Sequence, residues 1–119
     1  MREINLVTID PETGDIEEQT LPLSTRNPLE LGRVVMTLAA KKAVPRITIK
    51  DALLHHQLGD WGVCCPEDWR NNDRARKHGA RIVSVYEYGP EKEGGRRDRF
   101  WIITEADRSY TTVLLPSDY

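Results

Sequence analysis

The chain has 119 residues, 30% of them charged and 39% hydrophobic, which suits one folded domain with a single core and argues against a disordered composition. No apolar run nears the roughly 18 residues of a membrane helix, and the opening MREINL lacks the apolar stretch of a secretory leader, so a cytoplasmic location is expected. The net charge of −2 conceals a gradient: Glu3, Asp10, Glu12, Asp15, Glu17, Glu18 and Glu30 face only Arg2 and Arg26, whereas Arg70 to Arg99 carries nine Lys or Arg against five Asp or Glu.

In chain order, two β-favouring runs, Ile4 to Ile9 and Ile16 to Leu21, flank the turn-rich Asp10-Pro-Glu-Thr-Gly-Asp15. This pattern predicts a hairpin. The stretch Leu21 to Pro28 holds two prolines and reads as a linker, so residues 1–24 form an acidic hairpin extension and 25–119 one compact domain. Leu31 to Thr37 suits a short strand or the start of a helix reaching Val44, and Pro45 closes it either way. Thr48 to Asp51 has the form of a capping box, predicting a helix from Ile49 to Leu58 stopped by Gly59. Ile49, Ala52, Leu53 and His56 share one face of it, and His55 points elsewhere.

Cys64 and Cys65 are the only cysteines and adjoin each other, a poor geometry for a disulfide and a weak zinc signal. Reduced thiols are expected. Pro66, Glu67 and Asp68 then open a helix whose last turns carry Arg74, Arg76 and Lys77, with Gly79 as the stop. Its apolar content is thin, with Trp69 and Ala75 for burial, and Trp69, Asn72, Asp73 and Arg76 line one stripe. Arg81 to Tyr88, Arg99 to Glu105 and Tyr110 to Leu115 read as a three-stranded antiparallel meander. Alternation groups Val83, Val85, Ile103, Val113 and Leu115 as core, with Phe100 and Ile102 on the second face. The expected class is α+β: a small antiparallel sheet, two or three helices on one face, and the N-terminal hairpin.

No nucleotide loop, metalloprotease helix or nucleophile elbow is present. Gly94-Gly95 before Arg96-Arg97 lacks the strand-loop-helix setting of a phosphate loop, and Ser84 is a mid-strand serine without a placed base. The strongest constellation joins His56 and Asp60 to the block Thr104 to Ser109. His56, Asp60, Glu105 and Asp107 together would suit acid-base chemistry or a divalent cation. The structural reading is the stronger one: His56 as a satisfied core histidine, Asp107 capping a turn, and Arg108 pairing with Asp60 or Glu105 and bracing its turn to the Asp60-Trp61 loop.

Gly59-Asp-Trp-Gly62, Asn72, Arg81-Ile-Val-Ser-Val-Tyr86, Trp101 to Ser109 and Thr111 to Tyr119 resemble a family of small bacterial proteins of plasmids and integrated elements, some labelled plasmid-related proteins. Trp61, Asn72, Tyr86, Trp101 and Arg108 are the signature positions. The likeness spans residues 31–119 and excludes the acidic hairpin. It departs at Arg74 and Arg76, where the family tends to be apolar. The family also tends to carry an acidic residue near Cys65, which disfavours a cysteine mechanism. It implies no activity, only a setting of mobile DNA in conflict with host defences, where small proteins act by stoichiometric binding, as in inhibition of restriction or CRISPR effectors.

The leading expectation is therefore a non-catalytic binding protein with a protein partner and neither cofactor nor metal. Its contact residues would be Asp10, Glu12, Asp15, Glu17 and Glu18 on the hairpin and Arg70, Arg74, Arg76, Lys77 and Arg81 around the basic helix. A small enzyme built on His56, Asp60, Glu105 and Asp107, and a DNA-binding accessory, are the alternatives.

Overall fold

The structure, a computed structural model, describes residues 28–119 and the backbone of two strands at 2–9 and 16–23. Those strands, β1 (Arg2–Ile9) and β2 (Ile16–Leu23), pair antiparallel from Arg2 opposite Leu23 to Ile9 opposite Ile16. The hairpin is longer than the sequence implies, because β2 continues through Pro22 instead of ending in a linker at Leu21. A two-stranded ribbon has only edge strands, so a proline can lie on its unpaired side. The turn at 10–15 and the linker at 24–27 lie outside the described residues.

The rest is α+β. After the short strand β3 (Arg33–Met36) come three helices, α1 (Leu38–Ala43), α2 (Arg46–Gln57) and α3 (Pro66–His78). The strands β4 (Ile82–Tyr88), β5 (Asp98–Thr104) and β6 (Tyr110–Leu114) follow, and Pro116–Asp118 forms a final 3-10 turn. The meander is as expected, but β3 joins it parallel to β6, giving a four-stranded mixed sheet in the order β3-β6-β5-β4. Sequence left Leu31 to Thr37 open between strand and helix. Two β-branched residues, Val34 and Val35, favour the strand, and Thr37 ends it by capping α1, its hydroxyl accepting from the Ala40 amide at 3.1 Å. Gly32 makes the approach possible. Its φ is +61°, and a Cβ there would stand 2.4 Å from the carbonyl oxygens of Arg108 and Ser109.

Helix α2 corrects the capping-box expectation. It starts at Arg46, with Pro45 as its N-cap residue, so Thr48 lies inside the first turn. Its end is as expected: Gly59 follows Leu58 in the left-handed region, and the Gly59 and Asp60 amides return to the carbonyls of His56 and His55.

All three helices cover one sheet face. Ile82, Ser84 and Tyr86 of β4 share it with Phe100, Ile102 and Thr104 of β5 and with Thr111 and Val113 of β6. Under α1 and α2, Ala40, Val44, Ile49 and Ala52 meet Tyr86, Phe100, Ile102 and Val113; near α3, Leu29, Trp61, Ala75 and Ile82 form a second cluster. This register corrects the grouping read from alternation. Ile102 lies opposite Val113, so Val113 belongs with Phe100 and Ile102, while Val83, Val85 and Ile103 occupy the other face. A pleat fixes parity within one strand, but pairing between strands fixes which parities meet. Leu115 does pack against the α1–α2 cluster.

Candidate functional site: a buried histidine and two sheet edges

His56 is fully buried on the inner face of α2. Its Nδ1 lies 2.5 Å from Ser84 Oγ and its Nε2 2.8 Å from Thr104 Oγ1. Thr104 Oγ1 is 2.8 Å from Thr111 Oγ1, which donates to the Leu31 carbonyl at 2.7 Å. Counting protons fixes the directions from Leu31 to the ring. A carbonyl only accepts, so Thr111 spends its proton on Leu31 and must accept from Thr104. Thr104 must then accept from Nε2–H, and in a neutral ring Nδ1 is left to accept from Ser84, whose other acceptor is the Ile102 carbonyl at 3.5 Å. The neutral ring is thus the Nε2–H tautomer.

Burial, with the charges of Arg108 and Arg76 adding to it, lowers the His56 pKa to about 3. The edge of Trp61 packs against the imidazole, with ring centroids 5.4 Å apart. Ser84 beside a histidine has the outline of an activated nucleophile. Here, however, hydroxyl and ring are both sealed between α2 and the sheet, and the ring's other nitrogen is spent on Thr104. The arrangement holds α2 to β4, β5 and β6 at one point.

The carboxylates expected beside His56 are engaged elsewhere. Asp60 accepts from the Gly62 amide at 3.1 Å and meets His55 Nδ1 at 2.9 Å. Glu105 is 3.6 Å from Arg81. Asp107 accepts from the Ser109 amide at 2.9 Å, and bonds to Ser109 hold its carboxyl below the usual range. Among the described residues no three His, Cys, Asp or Glu side chains are grouped to hold a metal ion. The partners His56 does have, Ser84 and Thr104, were readable only as small hydroxyls set among apolar strand residues, as was Thr111 behind them. Their meeting depends on register, which the sequence does not print.

Arg108 braces its turn, though not to the Asp60-Trp61 loop. Its guanidinium donates to the carbonyls of Ala80 (2.6 Å), Ala75 (3.0 Å) and Glu105 (3.1 Å), closing the C-terminal end of α3, where a cation is favoured. Its backbone sits at φ +61°, uncommon for a side-chain-bearing residue.

Asn72 and the loop that carries Trp61 close the sheet edge at β4 around Val83 and Val85. Asn72 gives its amide N–H to the Val83 carbonyl at 2.7 Å and accepts from the Val83 amide at 3.2 Å. Next to it the Gly59–Gly62 loop lays its backbone along β4: Val85 donates to the Trp61 carbonyl at 3.2 Å and accepts from Val63 at 2.8 Å. Gly62 is required there, because a Cβ would stand 1.9 Å from the Val85 oxygen. Trp61 is fully buried with its indole N–H on Asp73 at 2.9 Å, and the Tyr86 hydroxyl donates to the Asp60 carbonyl at 2.7 Å. Burial pushes the Tyr86 pKa up. On the other face, Trp101 packs edge-on against Tyr119, whose hydroxyl accepts from Arg81 at 2.9 Å. Cys64 and Cys65 are free thiols, and burial pushes the Cys64 pKa up.

The expected contact residues separate into groups. Arg70, Arg74 and Lys77 recur at helical spacing along the exposed side of α3, and Arg81 is exposed just beyond it. Arg76 turns inward, its guanidinium reaching the Gln57 carbonyl at 3.4 Å. Asp10, Glu12 and Asp15 lie outside the described residues. Glu17 and Glu18 are neighbours in β2, opposite Thr8 and Val7. Among the described residues no helix is long and apolar enough to cross a membrane.

No family model, curated protein or solved structure matches this chain.

Proposed function

We propose that this chain is a small binding protein that acts by stoichiometric contact with another protein instead of by catalysis, in the mobile-element setting its sequence resembles. The observation that carries this reading is the state of His56, the side chain on which the catalytic alternative depends. Both of its nitrogens are spent in the core, and Asp60, Glu105 and Asp107 each have a different partner. What remains available to a partner is surface. Arg70, Arg74 and Lys77 form a cationic stripe on α3 suited to an acidic protein patch, with Arg81 adjoining. Restriction or CRISPR effectors are the partner class that the resemblance implies.

The test is capture by the tagged full chain from nuclease-treated host lysate, beside the variant R70E/R74E/K77E. All three positions are exposed, so the variant should fold normally and lose the partner. Retention of every captured protein by the variant would overturn the stripe as contact surface. The same stripe fits phosphate, which makes duplex DNA the second reading. It would replace the first if the purified chain bound duplex with affinity falling steeply with salt, and if that binding disappeared in the triple variant.

A further inference from the structure

The two edges of the four-stranded sheet are built differently. At β4 the outward backbone groups of Val83 and Val85 all have partners, supplied by Asn72 and by Trp61 and Val63. At the other end, β3 bonds inward to β6 through alternate residues: Arg33 N–H donates to Ser109 O at 3.1 Å and Thr37 N–H to Val113 O at 3.0 Å. Residues 33, 35 and 37 therefore face β6, and the N–H and C=O of Val34 and Met36 point out of the sheet. No described strand pairs with that side. The side chains of Val34 and Met36 are 40% and 43% exposed, and Leu38 just beyond is 65% exposed. Edge strands are commonly protected by lysine, proline or a bulge, and Val34-Val35-Met36 contains none of these.

We infer that β3 is a dimerisation edge and that its occupant is β3 of a second copy, antiparallel across a two-fold axis. Of the two-fold registers that set outward groups against outward groups, one uses both Val34 and Met36 of each copy. Val34 opposite the second copy's Met36 places outward groups against outward groups, so each such pair exchanges both hydrogen bonds. Val35 then meets its own copy on the axis, and the exposed apolar side chains of Val34 and Met36 cover one another on the helix side of the sheet. On the other side, Arg33 falls opposite the second copy's Thr37. That threonine's hydroxyl donates to the exposed Asp118 carboxylate at 2.7 Å. Arg33 of each copy thus meets an Asp118 of the other, a charge match that an isologous interface repeats twice. The proposal concerns assembly and does not depend on the proposed function.

Sedimentation equilibrium of the full chain tests it, with light scattering as a second reading. The wild type should weigh twice the chain mass at high concentration and dissociate on dilution. V34K/M36K alters two exposed side chains and should be monomeric with an unchanged far-UV spectrum. R33D should raise the dimer Kd by ~10-fold or more, D118R likewise, and R33D/D118R together should return it to within ~3-fold of wild type. Rescue by the paired reversal distinguishes a trans ion pair from damage to the Asp118–Thr37 contact. A wild type monomeric up to ~1 mM would overturn the inference. So would a dimer that survives V34K/M36K, or paired reversals that give no rescue. If the wild type is monomeric with slowly exchanging Val34 and Met36 amides, the occupant is this chain's own N-terminal hairpin. If they exchange fast, the edge is left for another protein's strand.

Discussion

The edges at β4 and β3 solve the same chemical problem in opposite ways. At β4 the sequence devotes Asn72 and the Gly59–Gly62 loop to closing individual backbone groups, and a buried tryptophan anchors that loop. At β3 the outward groups of Val34 and Met36 have no such cover among the described residues, and apolar side chains flank them. The contrast separates residues that complete the fold from residues left over for contact. His56, the most reactive-looking group, belongs with the first kind: it is polar, buried and fully hydrogen-bonded.

The largest expected effect is on that closed side. His56→Ala removes a fully buried ring and leaves the Ser84 and Thr104 hydroxyls without their partner, so urea unfolding should show a loss of about 3–5 kcal/mol. A loss below about 1 kcal/mol would break the assignment of His56 as a structural tie.

Acid should reveal the same group. The unfolded ring titrates near its ordinary 6.5 and the folded ring near 3, so between those values the unfolded chain binds more protons. The His56 contribution is fully present above 6.5 and declines as pH falls toward 3, by at most about 1.4 kcal/mol per pH unit. His56→Gln should flatten that slope, and an unchanged slope would assign the acid sensitivity elsewhere.

Next in size is Asn72→Ala, which reopens the β4 edge at Val83 and should cost about 1–3 kcal/mol. Arg108→Ala should cost about 1–2 kcal/mol through the three carbonyls it serves, and Arg108→Gly should lose about 1 kcal/mol less because glycine accepts the positive φ. Equal losses for the two variants would mean that the backbone at residue 108 is not strained. Glu105→Gln, at a half-exposed pair with Arg81, should stay within about 0.5 kcal/mol of wild type.

Much of the closed side is legible in the sequence where punctuation is local. Pro66 and Gly79 bound α3, Gly59 stops α2, and β-favouring runs mark β4, β5 and β6. The inward face of α2, including His56, follows from helical spacing. What does not show is pairing over long separations. Nothing near Val34 says that it will lie parallel to Thr111, and nothing near Val113 says that it will share a face with Ile102. The same blindness misassigned the partners of His56. Charge drew attention to Asp60, Glu105 and Asp107, whereas register delivered two neutral hydroxyls, Ser84 and Thr104. In α3, the thin apolar content has a physical reason: Asn72, Asp73 and Arg76 dock the helix by hydrogen bonds instead of by apolar burial.

Hydrogen exchange read amide by amide along both edges, at several protein concentrations, is the most direct test. The Val83 and Val85 amides should be protected at every concentration, while those of Val34 and Met36 should exchange freely in dilute solution and slow as the chain associates. Protection of Val34 and Met36 in a dilute monomer, or rapid exchange at Val83 and Val85, would contradict the division between a closed and an open edge.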